Sequence, residues 1–100
     1  MALNRKDRIL TLHPAGKKGV RIERSKYDVM RRALLRVVPR RKSGVAFSDL
    51  PALVEPHLDR EVFDGTASVG WYVVTVKQDL EARGLIEQVP EQKPQHLRRV

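Results

Sequence analysis

One hundred residues suffice for one domain with one modest core, and the absence of cysteine excludes disulfides and thiolate metal sites. An apolar fraction of 41% predicts a folded chain, yet no run is long enough to cross a bilayer, and Ile9 to Leu12 is too short for a signal-peptide core behind Arg5, Lys6 and Arg8. The formal charge of +8 favours polyanionic partners, and the expected location is the cytoplasm.

The charge is unevenly placed. Residues 1–24 carry a net +5, 25–47 a net +6, 48–84 a net −4 and 85–100 a net +1, so a basic half meets an acidic half near Phe47.

Residues 1–24 predict a β-hairpin or, in its place, a basic arm. Ile9-Leu10-Thr11-Leu12 and Val20-Arg21-Ile22 are β-prone, with Val20 and Ile22 alternating onto one buried face. The breaker-rich stretch from His13 to Gly19 joins them. Ser25 and Asp28 then suggest a capping box for a first helix, with Met30, Ala33, Leu34, Val37 and Val38 as its apolar stripe and Pro39 as its end.

Arg40-Arg41-Lys42-Ser43-Gly44 reads as a basic turn and Val45-Ala46-Phe47 as a short extended piece. Ser48 is the expected N-cap of a second helix, with Pro51 in its first turn and Leu50, Leu53, Val54 and Leu58 inward; Pro56 should kink or end it early. After a turn around Asp64-Gly65, Ser68 or Thr66 caps a third helix. Val69, Val73, Val76 and Leu80 fall on one of its faces, and Gly84 supplies a left-handed stop. Leu85 to Val89, a Pro90 to Pro94 turn and Gln95 to Val100 predict a closing hairpin.

From Ser25 onward, this α+β order of three helices, a short strand and a C-terminal β-wing resembles the winged helix-turn-helix superfamily. The resemblance rests on Phe47-Ser48-Asp49-Leu50, on the run from Val73 through Leu80-Glu81-Ala82-Arg83-Gly84-Leu85-Ile86, and on the Pro90 to Pro94 tip. It divides the chain into an N-terminal β-hairpin extension, 1–24, and a winged-helix unit, 25–100, within a single domain. The segment from Leu12 to Val20, with Trp71-Tyr72 and Lys93-Pro94-Gln95, is similar to a small uncharacterised bacterial family of that fold, and this likeness brings no activity with it.

Catalysis has little in its favour. His13, His57 and His96 lie on separate elements without ligand spacing, no nucleophile elbow occurs, and Gly16-Lys17-Lys18-Gly19 lacks the Walker spacing. The chain is therefore read as neither an enzyme nor a metal or cofactor carrier.

The resemblance implies nucleic-acid binding, with duplex DNA as the expected partner and a role in transcription. A third helix in the major groove would offer Thr75 and Gln78 to base edges and Lys77 to a phosphate, and the wing would offer Lys93, His96 and Arg98. The acidity of 48–84 works against that arrangement. The better electrostatic surface comprises Arg31, Arg32 and Arg36 on the first helix, Arg40, Arg41 and Lys42 after it, and Lys17 and Lys18 on the first loop; their bland alternative is a solvated, solubilising face. Trp71 and Val74 open a rival reading in which the third helix docks a protein partner or a second copy, unless Trp71 is core beneath the N-terminal hairpin.

Overall fold

The computed structural model describes residues 7–65 and 68–100. In chain order it contains strands β1 (Arg8–Leu10) and β2 (Arg21–Glu23), helix α1 (Arg24–Val37), strand β3 (Val45–Ala46), a short helix α2 (Leu50–Val54), a long helix α3 (Val69–Ala82), and strands β4 (Ile86–Gln88) and β5 (His96–Arg99). Single 3₁₀ turns, Phe47–Asp49 and Glu55–His57, flank α2. The result is an α+β domain with three helices and two small antiparallel sheets.

The first sheet is β1–β2, with Ile9 opposite Ile22. The second has the order β3-β5-β4, with Val45 opposite Leu97 and Gln88 opposite Leu97 on the other side. Between them α1 packs on both α2 and α3. The core collects Met30 and Leu34 from α1, Leu50 and Val54 from α2, Val73, Val76 and Leu80 from α3, and Ile86 and Leu97 from the second sheet. The heptad-like apolar spacing on α3 produces this directly, because one stripe suffices to meet α1 on one side and the sheet on the other.

Several local expectations need correction. Helix α1 starts at Arg24, without a side-chain cap, and not at a Ser25 cap: β2 runs straight into it, and the Arg24 amide donates to the Asp7 carbonyl at 3.0 Å. An amide already satisfied by the neighbouring strand needs no hydroxyl. Ser48 lies inside the 3₁₀ turn before α2 and caps nothing. Pro56 sits where α2 tightens into its closing 3₁₀ turn, and Leu53 is left exposed because so short a helix turns only one side inward. Val20, expected beside Ile22 in the core, precedes the paired strand and is exposed. At α3, Ser68 accepts from the Trp71 amide at 3.3 Å, and Gly84 has φ +75°, as a left-handed stop requires. Thr66 and the first six residues of the expected N-terminal arm, with Arg5 and Lys6, lie outside the described residues.

Candidate nucleic-acid interface

The basic residues do not gather into one continuous surface. They separate into groups set by the elements that carry them. On α1, Arg32 and Arg36 are one turn apart, exposed, and paired with no carboxylate among the described residues. With His57 and Asp59 they line a cavity of about 470 Å³ between α1 and the end of the α2 segment. Arg31 on the same helix is half-buried, towards Tyr27.

The turn after α1 belongs with the second sheet. The Arg99 amide donates to the Pro39 carbonyl at 2.8 Å, and Arg98 donates to the Lys42 carbonyl at 3.2 Å. Gly44 closes the turn with φ +64°, and a Cβ there would collide with the Leu97 carbonyl oxygen. Glycine is thus required by both conformation and space. Arg40, Arg41 and Lys42 project from this backbone into solvent. Lys93 is exposed on the β4–β5 turn, and His96 Nδ1 lies 2.7 Å from the Pro94 carbonyl. Arg98 is committed to Glu87 across the hairpin at 2.6 Å and is only partly available as a cation.

Lys17 and Lys18 sit elsewhere, on the loop joining β1 to β2. Thr11 and Val20 close its base: the Thr11 amide donates to the Val20 carbonyl at 2.9 Å, and the Val20 amide donates to Thr11 Oγ1 at 3.0 Å. Gly19 passes so close to Thr11 that a Cβ would overlap its carbonyl oxygen. His13 stiffens the near side, its Nδ1 accepting from the Ala15 amide and its carbonyl from the Gly16 amide. The loop lies along α3.

What fastens it there is Asp79, which is fully buried. Its Oδ1 accepts from the Leu12 amide at 2.9 Å; its Oδ2 accepts from the Tyr27 hydroxyl at 2.5 Å and from Arg83 Nε at 2.9 Å. Burial, with the neighbouring carboxylate adding to it, pushes the Tyr27 phenol up to about 12. The hydrogen bond to Asp79 likewise raises the Arg83 pKa.

Lys77 is the clearest correction. Expected to reach a phosphate, it is 5% exposed, 3.0 Å from Glu81 one turn on, and has its ammonium 5.1 Å from the Phe47 ring centroid. Its Nζ also lies 3.5 Å from the Gln95 amide oxygen. The helix turns this position towards the second sheet, and the i,i+4 acid satisfies the charge where water cannot.

With Asp79 and Glu81 both withdrawn, the acidity of 48–84 belongs to α2 and the turn after it, at Asp49, Glu55, Asp59, Glu61 and Asp64. The outward positions of α3 (Trp71, Val74, Thr75, Gln78 and Ala82) carry no charge of either sign. Trp71 is 46% exposed, so it is not core, although the loop stands beside it. Among the described residues no group of His, Asp and Glu could hold a metal ion, and no helix is long and apolar enough to cross a membrane.

Residues 8–97 match a family of unknown function, DUF6958, and the chain belongs to that family. No curated protein and no solved structure matches it.

Proposed function

We propose that the chain is a winged helix-turn-helix protein that binds duplex DNA through its basic face rather than through α3. The order from α1 to β5 supports the fold reading, with β3 joining the closing hairpin and a left-handed glycine between helix and wing. The observation that carries the binding reading is a set of cations paired with no carboxylate among the described residues: Arg32 and Arg36 on α1, then Arg40, Arg41 and Lys42 on a turn held rigidly against the sheet. Long cations presented on fixed backbone suit phosphate oxygens, which contribute most of the sequence-independent affinity. Lys93 extends the same face along the wing. On this reading Thr75 and Gln78 do not enter a major groove as the leading contact, because the lysine loop stands alongside them.

Fluorescence anisotropy of labelled random duplex tests this. The native protein binds at low salt and weakens steeply towards physiological salt. Replacing Arg40, Arg41 and Lys42 with glutamate abolishes tight binding and lowers the log–log salt slope by about 3, roughly one unit for each phosphate no longer neutralised. All three side chains are solvated, so circular dichroism of the variant is unchanged. Flat anisotropy of the native protein at both salts overturns the reading.

A further inference from the structure

A second place in the molecule has the chemistry of nucleic acid but the wrong shape for a duplex. Between the 12–19 loop and α3 lies a cleft of about 230 Å³. Leu12 and Val20 form one wall, Trp71 and Val74 the other, and all four are exposed although large and apolar. Thr75 and Gln78 line the same space, and neither side chain is hydrogen-bonded to another described residue. Lys18 stands at the lip with Lys17 beside it, and no carboxylate among the described residues lines the cleft.

We propose that this cleft binds an unpaired nucleotide of a single-stranded nucleic acid, with the base stacked on Trp71 and the adjoining phosphate on Lys17 and Lys18. A flat aromatic surface with an amide and a hydroxyl at its rim suits a flat ligand with hydrogen-bonding edges. The two lysines suit a ligand that carries one negative charge per unit. The walls are fixed in advance. Trp71 meets Tyr72 edge-to-face at 4.9 Å, and Tyr72 meets Phe63 in the same manner at 5.3 Å, so the indole is braced from behind. The loop is closed by Thr11 and Val20 and tied to Asp79 through Leu12. A site ordered before its ligand arrives loses little entropy on binding. The cleft is a separate surface from the duplex face, and its binding does not depend on that face.

The chain contains a single tryptophan, so intrinsic indole emission reports on the cleft alone. The native protein is titrated with a short oligothymidylate and, in parallel, with an abasic oligomer of equal length. The expected result is quenching by the first and none by the second. By anisotropy, Trp71→Ala weakens oligothymidylate binding by about ten-fold or more, as removal of one stacked base should, while Trp71→Phe keeps most of it. Lys17→Glu with Lys18→Glu weakens it further and lowers the salt slope by about 1.4, two phosphates on a single strand. Gln78→Ala, away from the ring, reduces affinity without removing the quench. Equal binding of the abasic oligomer overturns the proposal, since the base would then contribute nothing. Quenching by a polyglutamate peptide but not by oligothymidylate overturns it in favour of an acidic protein segment. Emission that shifts with protein concentration alone overturns it in favour of a second copy of the chain. Flat duplex anisotropy alongside quenching by oligothymidylate removes the duplex reading and leaves this one standing.

Discussion

Both hairpins of this domain lean on the helices, yet they are held by different forces. On the C-terminal side, Ile86 and Leu97 enter the core, and β5 is sandwiched between β3 and β4. On the N-terminal side, Ile22 is the one buried apolar residue of β1 and β2, and a single carboxylate receives the loop's amide, a phenol and a guanidinium. Hydrocarbon burial is non-directional and tolerates small shifts; a three-way hydrogen-bonded carboxylate is directional and does not. The first arrangement provides a base for the turn that carries Arg40 to Lys42. The second sets the distance of one loop from one helix face, which a binding cleft requires.

Asp79→Ala should break the contrast most sharply. It leaves the Tyr27 hydroxyl and the Leu12 amide without their partner and Arg83 without its counter-ion, at about 3–5 kcal/mol in denaturant unfolding. Amide exchange should accelerate through β1 and β2 well before β4 and β5. Leu97→Ala should cost about 2–5 kcal/mol through reduced burial and a cavity, but with exchange accelerated in every element together, because that side chain belongs to the common core. If both variants loosen the two hairpins equally, the contrast fails.

Tyr27→Phe is the gentler probe. It removes one hydrogen bond to a charged acceptor, worth about 1.5–3 kcal/mol, and it sharpens the comparison through pH. The folded phenol titrates near 12 against an ordinary value of 10, so the folded state keeps its proton while the unfolded chain loses it. The stabilisation is therefore complete below pH 10 and disappears as pH rises from 10 towards 12. Unfolding midpoints of the native protein and of Tyr27→Phe should differ at neutral pH and converge across that window; a constant difference would separate Tyr27 from the joint.

The hydrocarbon side is legible in the sequence and the polar side is hidden. The spacing of Val69, Val73, Val76 and Leu80 announces α3 and its buried face, and Gly84 followed by an apolar pair announces the strand after it. Such signals repeat at the period of the element that carries them. Asp79 sends no such signal: its partners lie 67, 52 and 4 residues away, and a carboxylate in that place reads as surface charge. Lys77 misleads for the same reason, although Glu81 four residues on is a visible clue that its charge could be met within the helix. The basic groups are identifiable by type, but their separation is not. Whether Lys18 stands beside Arg36 or beside Trp71 depends on how the first hairpin docks, and that docking is decided by Asp79.

The span of that bond also bears on the order in which the molecule assembles. Helix α3, β4 and β5 are neighbours in sequence and can meet after closing only short loops, whereas the Leu12–Asp79 bond closes a loop of 67 residues. Closing so long a loop costs entropy before any interaction returns it. The N-terminal hairpin is thus the piece that docks after the barrier is crossed. Damage to Asp79 consequently shortens the lifetime of the native state and leaves the speed of reaching it largely unaltered.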